Sequence, residues 1–347
     1  MKAVSFSQHG SIDVLKYGDV PDPEVGPGEV LLRIEAAACN FNDIWARLGL
    51  PRITLPLPHV SGTDAAGVVV EVGEGVTGVS VGDEVITYPV RSCRRCNACL
   101  AGDEVFCKGL MIWGFQTGPY DGAYAEYAKV QAEQVLPKPA HLTWEEAAAT
   151  TTSLLSVWRM LVTRAQVQPG DQVLIWGASG GTGSFAIQLA KEIGAIPIAV
   201  TSSEKKAEWC SKMGATHVLR SDCQDIEAEV SRITDRRGVD VVFDHVGEPV
   251  WNTSVECLRW GGKIVICGAT EGFQATIDLR YLWNKQLSFL GSHIGTRKEW
   301  VQAMKLIEAR RIHPPVTEIF DLPGAIEAQR RMENRELMGK LAIRIGS

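Results

Sequence analysis

The chain has 347 residues, of which 45% are hydrophobic and 22% are charged, and its formal net charge is −6. This length favours two domains over one, and the composition is typical of a globular protein. The negative net charge gives no reason to expect a nucleic acid partner. The sequence has no apolar stretch long enough for a membrane span and no signal-peptide pattern at its start, so we expect a cytoplasmic protein.

In residues 1–150, short apolar runs separated by glycine and proline predict a β-rich domain. These runs are Val30–Ile34, Ala66–Val72 and Glu84–Thr87. Between the first two, Asn42 and Asp43 are expected to cap a short helix over residues 44–48, because their side chains can accept hydrogen bonds from the first helical turn.

A cluster of cysteines follows the third run, with Cys93, Cys96, Cys99 and Cys107 close together in the chain. Four thiolates at such spacing can surround one tetrahedral zinc ion. Because all four positions are filled, the predicted site leaves no vacancy for water and is structural rather than catalytic. The absence of an export signal favours a reducing compartment, in which thiols and metal ligands are expected rather than disulfides.

The second half of the chain alternates strands with helices. A strand over residues 172–176 leads into a glycine-rich loop and then a helix over residues 184–193, which is the context that identifies a dinucleotide-binding turn. Its glycines permit close approach of a pyrophosphate to the helix N-terminus. The predicted cofactor-binding positions of the loop are Gly177, Gly180, Gly181, Thr182 and Gly183.

The position after the next strand predicts the choice of cofactor. A site for NAD carries an acidic residue there, whereas this chain has Ser202 and Ser203, with Lys205 close behind. Small hydroxyl groups and an ammonium group suit a 2′-phosphate, so we expect NADP(H). Arg220, after the following strand, is a further candidate for this phosphate.

Three later strands, over residues 197–201, 239–244 and 263–267, complete a pattern typical of βαβ units and a parallel sheet. A helix is predicted over residues 298–310. The strand-like run over residues 340–345 is expected to return to the first domain.

Several stretches resemble the medium-chain dehydrogenase/reductase superfamily nearly end to end. They are GPGEVLLRIEAAACNFND, VSGTDAAGVVVEVGEGV, QPGDQVLIWGASGGTG and GKLAIRI, with the cysteine cluster between them. The resemblance implies an α/β protein with a GroES-like β-rich catalytic domain (residues 1–153 and 292–347) and a Rossmann domain, a doubly wound parallel sheet (residues 154–291). It also implies a zinc lobe at about residues 91–110 and a homodimer or homotetramer.

The sequence departs from the zinc alcohol dehydrogenases of this superfamily. Those enzymes hold a second, catalytic zinc with a Cys, a His in a Gly-His-Glu motif and a later Cys. Here Cys39 matches the first ligand, but Thr63 and Thr152 stand at the other two places. Neutral hydroxyl groups are poor zinc ligands, so we expect one structural zinc per chain. Whether Cys39 retains a residual second metal stays open.

The crotonyl-CoA reductase/carboxylase and acryloyl-CoA reductase branch is especially similar, through NFNDIWARLGLP, IWGFQTGPYDGAYAEYAKVQAEQVLPKPAHLTWEEAA, LRYLW and GSHIGTR. In its carboxylating members an Asn, a Phe-Glu pair and a His hold carbon dioxide and water. Asn40 or Asn42, Phe115 and His293 match these residues, but Gln116 replaces the Glu. The resemblance therefore implies simple reduction without carboxylation.

The expected reaction is NADPH-dependent reduction of an activated carbon–carbon double bond, such as that of an enoyl-CoA. Asn42 and backbone N–H groups would stabilise the enolate, and His293 or a water held by Gln116 would supply the proton. Candidate partners for the CoA phosphates are Arg47, Arg52, Arg297 and Lys298. The alternatives are a zinc-family alcohol/aldehyde dehydrogenase, a quinone oxidoreductase, and a structural protein that binds NADPH without turnover.

Overall fold

The computed structural model describes residues 1–51, 53–116 and 120–346, and it divides the chain into two compact units. Unit 1 contains Met1–Ser153, Thr296–Glu308 and Pro314–Ser347, and unit 2 contains Leu154–Gly295 and Ala309–His313. The expected return to the first domain at residue 292 therefore differs from the structure. Gln188 explains part of the difference, because its amide accepts a hydrogen bond from His313 N (2.9 Å) and donates one to His313 O (3.0 Å), which holds this segment in unit 2.

The secondary structure alternates short strands with helices of up to 13 residues. The strands are β1 Lys2–Phe6, β2 Lys16–Asp19, β3 Glu29–Ala38, β4 His59–Val60, β5 Asp64–Val72, β6 Glu84–Thr87, β7 Val90–Arg91, β8 Met111–Ile112, β9 Tyr127–Gln131, β10 Val135–Pro137, β11 Gln172–Ile175, β12 Ile196–Thr201, β13 His217–Arg220, β14 Val239–Asp244, β15 Leu258–Ile266, β16 Ser288–Gly291, β17 Val316–Asp321 and β18 Lys340–Arg344. The helices are α1 Phe41–Leu48, α2 Asn97–Leu100, α3 Trp144–Ala149, α4 Thr152–Trp158, α5 Gly181–Ile193, α6 Glu204–Met213, α7 Ile226–Ile233, α8 Trp251–Cys257, α9 Leu279–Asn284, α10 Arg297–Glu308 and α11 Ala325–Glu333.

Unit 1 is built on a mixed sheet in the order β10-β6-β5-β3-β18-β17, with β9 also paired to β3. The long strand β3 is central: Ala36 and Ala37 pair with Ala66 and Ala65 of β5 on one side and with β18 on the other. These alanines are fully buried, so the strands approach closely over a small-residue core. The pairing of β18 with β3 confirms the expected return of the last strand to the first domain.

Unit 2 holds a six-stranded sheet in the order β13-β12-β11-β14-β15-β16, and every pair in it is parallel. In chain order within the unit this is 3-2-1-4-5-6, the doubly wound arrangement of a Rossmann domain. Its core is formed by aliphatic side chains such as Leu174, Ile198 and Val242. The predicted α/β class, with a β-rich unit and a Rossmann unit, is confirmed. Within the described ranges, no helix combines the length and apolar character required to cross a membrane.

The start of α1 corrects a detail of the prediction. The helix begins at Phe41, with Asn40 as the N-cap residue, rather than at Ile44 behind an Asn42–Asp43 cap. The Asp43 carboxylate lies in the first turn and accepts a hydrogen bond from the backbone N–H of Asn40 at 2.8 Å. Asp43 therefore stabilises the helix start from inside the helix, as the third residue of a capping box does.

Candidate active site and metal centre

The four clustered cysteines lie together in unit 1. Their sulfur atoms are all within 4.8 Å of one another, with Cys96 Sγ 3.5 Å from Cys99 Sγ. Backbone N–H groups of Arg95 and Cys96 lower the pKa of the Cys93 thiol to about 6, which favours the thiolate form that binds metals. This donor set and spacing fit a tetrahedral zinc ion. Of all the described residues, these four form the one group of three or more metal-ligating side chains at such distances.

The glycine-rich loop occupies the expected place in unit 2, between β11 and α5. Gly180 is the N-cap residue of α5, so the helix begins at Gly181, three residues before the predicted start. A Cβ atom at Gly183 would lie 2.5 Å from Gly177 O, and one at Gly177 would lie 2.8 Å from the His245 ring. The backbone can therefore take this tight turn only with glycine at both positions. The resulting cradle at a helix N-terminus fits a pyrophosphate group.

The predicted phosphate-selecting residues follow β12. Ser202 and Lys205 are exposed, and Ser203 accepts a hydrogen bond from Lys206 N (3.4 Å) as the N-cap residue of α6. Arg220 is adjacent, since the parallel register pairs it with Thr201. The side chain of Arg220, however, is already bound by Glu204 at 2.5 Å and by Asp222 at 2.7 Å. A 2′-phosphate would have to compete with both carboxylates for this guanidinium group.

Sequence reasoning missed His245, which follows β14 at the same edge of the sheet. Burial lowers the pKa of its imidazole to about 4, so the ring is neutral at physiological pH. Its Nε2 is buried and has no hydrogen-bond partner within the described ranges. The carboxyl ends of parallel strands line such ligand sites, so Asp244-His245 directly after a predicted strand was a usable signal.

His293, the candidate proton donor, lies just after β16 in unit 2 and is exposed. Desolvation of its ring lowers its pKa below the ordinary value, and the positive charge of Arg159 lowers it further. Arg159 itself begins a π-helical segment, Arg159–Arg164, a rare conformation that is frequent at functional sites. The other proposed catalytic residues are in unit 1.

A buried polar network in unit 1 contains Thr63 and Thr152, the residues that the resemblance assigns to two ligand positions of a catalytic zinc. Thr63 accepts a hydrogen bond from Asn40 Nδ2 (2.9 Å) and lies 3.5 Å from the Thr152 hydroxyl. Asp64 accepts hydrogen bonds from the Thr151 hydroxyl and from Thr152 N (2.8 Å). The structure thus brings Thr63 and Thr152 together, and it adds Asn40, which the sequence had not linked to them, as a hydrogen-bonding group.

Lys340, a residue that sequence reasoning overlooked, completes this network. Its ammonium group donates to Cys39 O (2.8 Å), Asn40 Oδ1 (2.8 Å) and Asp64 Oδ2 (2.9 Å). The Lys340 side chain is 3% exposed and that of Asp64 is fully buried. A fixed cation at this place repels a metal ion. As the first residue of the last strand, Lys340 gave no sign of this role in the sequence.

The Cys39 thiol lies beside the same network but does not join it. Burial raises the pKa of Cys39 to about 12, so the neutral thiol persists where zinc would need a thiolate. Two hydroxyl groups, one neutral thiol and an ammonium group are a poor donor set for zinc. The residual second metal that the sequence left open at Cys39 does not fit these residues.

Phe115 and Gln116 lie on a loop that is attached firmly at both ends. Phe115 is 4% exposed, and the backbone N–H groups of Phe115 and Gln116 both donate to Ile112 O, at 3.1 and 2.7 Å. Gly114 and Gly122 both lie against Gly62, and a Cβ atom at either position would overlap Gly62 O. Gln116 is half-buried, and residues 117–119 lie outside the described ranges.

Two of the candidate binding residues behave differently from expectation. Arg47 is fully buried, with Nη2 2.6 Å from Glu333 and Nη1 2.8 Å from Gly10 O, so it is a structural link to α11 and cannot bind a CoA phosphate. Asn42 is half-buried on α1 and forms no recorded side-chain hydrogen bond to a described residue.

The remaining two charged candidates keep some exposure. Arg297 is exposed, but its Nε donates to Glu133 O at 3.1 Å, whereas Lys298 is exposed. Arg52 lies outside the described residues.

Two family models match the chain. Residues 26–140 match the alcohol dehydrogenase GroES-like domain, and residues 181–309 match the zinc-binding dehydrogenase family. The first match covers the β-rich part of unit 1 with the cysteine cluster, and the second begins at the end of the glycine-rich loop and covers five of the six strands of the parallel sheet.

Curated relatives extend the similarity over the whole chain. The crotonyl-CoA carboxylase/reductase of Cereibacter sphaeroides is 34% identical, with 98% of this chain and 86% of the relative covered. The acryloyl-coenzyme A reductase of Metallosphaera sedula is 31% identical, with 99% of each chain covered.

Solved structures agree with the fold. An NAD-dependent alcohol dehydrogenase superposes with a TM-score of 0.95 at 38% identity, and all of both chains is covered. The crotonyl-CoA carboxylase/reductase AntE, solved in complex with NADP, has a TM-score of 0.89 at 30% identity, with 100% of this chain and 95% of that chain covered.

Proposed function

The chain belongs to the medium-chain dehydrogenase/reductase superfamily and is an oxidoreductase, and from this premise we propose that it reduces the activated double bond of an enoyl-CoA with NADPH, without carboxylation. The observation that carries the proposal is the buried network of Lys340, Asp64, Asn40 and Thr63. A zinc alcohol dehydrogenase needs a Lewis acid beside the carbonyl oxygen. These residues offer an amide and hydroxyl groups there instead.

Hydrogen-bond donors are what this chemistry requires. When bound, a reduced nicotinamide supplies a hydride to the β-carbon of an enoyl thioester, and negative charge develops on the thioester oxygen. Amide N–H groups directed at this charge stabilise the transition state. Asn40 is the favoured donor because its side chain is held in the network, whereas Asn42 has no such support.

A proton must also reach the α-carbon. His293 or a water held by Gln116 would supply it. Gln116 keeps the hydrogen-bonding shape of the glutamate in carboxylating relatives but lacks its charge, and this supports reduction alone. The relatives include both a crotonyl-CoA carboxylase/reductase and an acryloyl-coenzyme A reductase.

For the cofactor, we favour NADP(H) over NAD(H). Support comes from the exposed Ser202 and Lys205 after β12, where an acidic residue would repel a 2′-phosphate. The Glu204 carboxylate beside Arg220 works against this preference, and one structural neighbour is named as NAD-dependent. Titration of the purified protein with both reduced cofactors decides the matter: NADPH should bind more tightly, and Lys205→Ala should weaken NADPH but not NADH.

The substrate is tested by cofactor oxidation. Purified protein is mixed with NADPH and, in turn, with crotonyl-CoA, acryloyl-CoA, a quinone and an aldehyde. We expect turnover with the enoyl-CoA thioesters, and a saturated acyl-CoA as the product in the presence of bicarbonate, identified by its mass. A carboxylated product, or turnover with the aldehyde alone, contradicts the proposal.

An alcohol or aldehyde dehydrogenase is the second candidate. It is favoured by the superposition with the NAD-dependent alcohol dehydrogenase. Metal counting separates the two reactions. The proposal predicts one zinc per chain that is unaffected by Cys39→Ala, whereas two zinc ions, one of them lost in this variant, would support the alcohol dehydrogenase.

A further inference from the structure

The orientation of the Asn40 side-chain amide is fixed by its neighbours. Lys340 Nζ lies 2.8 Å from one atom of this amide, and an ammonium group can only donate, so that atom is the carbonyl oxygen. The Ser153 hydroxyl, 3.4 Å away, faces the same oxygen. The amide nitrogen must therefore face Thr63, to whose hydroxyl it donates at 2.9 Å.

This arrangement leaves Asn40 with one N–H group to spare. A primary amide has two N–H donors, and Thr63 uses one of them. The second has no recorded acceptor within the described ranges. Asn40 is buried but not completely enclosed, since 9% of its surface is exposed.

The positive charge of Lys340 is neutralised by a carboxylate, and both groups are buried away from solvent. Its carboxylate partner, Asp64, is fully buried and is itself held by Thr151 and by Thr152 N. Two further acceptors, Cys39 O and Asn40 Oδ1, complete the coordination of the ammonium group. Cys39 and Asn40 are the two residues between β3 and α1, and Asp64 begins β5. Because secondary structure flanks all three partners, the ammonium group is a rigid anchor.

We infer that Lys340 is a positioning residue for the reaction: it pins the Asn40 carbonyl so that the free amide N–H is presented to the oxygen on which charge develops. The inference rests on the proposed function, because it specifies how one donor of that site is held. Withdrawal of electrons from the amide oxygen by the ammonium group also makes the N–H a stronger donor. A misplacement of about 1 Å in such a donor can cost about 100-fold in rate.

The direct test removes the ammonium group without leaving a buried charge. Lys340→Met alone would leave the buried Asp64 carboxylate without a counter-charge, a defect severe enough to prevent folding. The double variant Lys340→Met/Asp64→Asn removes both charges, and the Asn can still accept from Thr152 N. We expect kcat to fall by about tenfold or more while KM and the Kd for NADPH change by less than about threefold.

A matched control removes another lysine–carboxylate pair from the same unit. The Lys138 side chain is 7% exposed and lies 3.3 Å from Glu84. The variant Lys138→Met/Glu84→Gln should keep kcat within about twofold of the parent, since neither residue touches the network. An equal loss of kcat in both double variants would show a general structural effect and would overturn the inference.

A second arm tests whether Lys340 acts through Asn40. In an Asn40→Ala background, the change Lys340→Met/Asp64→Asn should lower kcat by less than about threefold, because the pinned group is already absent. A full, additive loss in this background contradicts a positioning role.

A structural readout keeps the inference testable if enoyl-CoA thioesters prove not to be substrates. In a crystal structure of the Lys340→Met/Asp64→Asn protein with NADPH, the Asn40 amide should turn or become disordered. The inference is overturned if the Asn40 amide keeps its original orientation and still donates a hydrogen bond to Thr63. Failure of the proposed function would be visible in the wild-type protein without any variant. That protein would then turn over the quinone or the aldehyde but not the enoyl-CoA thioesters.

Discussion

At the scale of single residues, His293 combines exposure with a lowered pKa. Its ring is partly desolvated and faces the positive charge of Arg159, so the neutral form predominates at about pH 7. A proton donor must be in the protonated form when it acts. The protonated fraction of His293 therefore grows as the pH falls towards the lowered pKa.

We accordingly predict that kcat for enoyl reduction rises as the pH is lowered from about 8 to about 6. His293→Asn should lower kcat by about tenfold or more and should flatten this profile, because the Asn amide does not titrate. Steady-state rates at saturating substrate across this range provide the measurement. A variant with the parent rate and profile would transfer the role to a water held by Gln116.

Residue roles could be predicted where they depend on the type of side chain, and not where they depend on distant pairing. Thr63 and Thr152 already indicated from the sequence that zinc ligands were missing. Lys340 contacts Asn40 from 300 positions away in the chain, and a lone lysine at the start of the last strand carries no sign of that contact. Arg47 was misjudged because charge suggests exposure, whereas Glu333 and Gly10 O bury it.

At the scale of elements, buried strands could be predicted from the sequence more accurately than exposed ones. β6 and β14 have the predicted bounds, and both are mostly buried, so each appears in the sequence as an apolar run. The sheet-edge strand β16 was not predicted, since its side chains are half-buried or exposed and give no such run. The strand expected before Arg220 is β13, which includes Arg220 as its last residue. α5 was predicted to begin too late because its first turn consists of glycine and threonine rather than apolar residues.

We expect the bound zinc ion to stabilise the segment that contains the four clustered cysteines. We predict one zinc per chain by elemental analysis, and a lower Tm in Cys107→Ser because a buried ligand is lost. Cys223→Ser, which changes an exposed cysteine outside the cluster, should leave both zinc content and Tm unchanged. Full zinc content in Cys107→Ser would contradict the four-cysteine site.

At the scale of the whole molecule, Asp43 links stability to pH. Burial raises the pKa of its carboxyl group from 3.8 to about 7. Oδ2 accepts hydrogen bonds from Tyr124 OH (2.6 Å) and Asn40 N (2.8 Å), and Oδ1 is buried without a partner in the described part of the chain. Between these two pKa values the folded protein holds a proton that the unfolded chain releases. The stabilising contribution of Asp43 is therefore greatest at low pH and is lost as the pH rises towards about 7.

Asp43→Asn should remove this contribution. The slope of unfolding free energy against pH between about 5 and 7 should become less negative, or more positive, by up to about 1.4 kcal/mol per pH unit. Urea unfolding at several pH values measures this slope. Glu74→Gln, which changes an exposed carboxylate in the same unit, serves as the control and should leave the slope as it is. An unchanged slope in Asp43→Asn would contradict the raised pKa.

The quaternary state stays a prediction: a homodimer or homotetramer. Large apolar side chains of unit 2 are exposed, among them Trp260 (61%) and Trp283 (67%), and burial of such groups favours association. Sedimentation equilibrium should give a mass of two or four chains. Trp283→Ser should shift the equilibrium towards single chains, and a monomeric parent protein would contradict the prediction.

Gly114 and Gly122 pack directly against Gly62, and this close contact restricts which positions near Gln116 can be substituted. Both ends of the loop with Phe115 and Gln116 are fixed against one carbonyl oxygen, and side chains at the crossing points are excluded by contact. Gln116 itself is only half-buried. Evolution, or a laboratory library, can therefore replace the side chain at position 116 without changing the fold of unit 1. Diversity introduced at 116 should yield folded proteins with new reactivity, whereas diversity at 114 or 122 should yield few folded proteins.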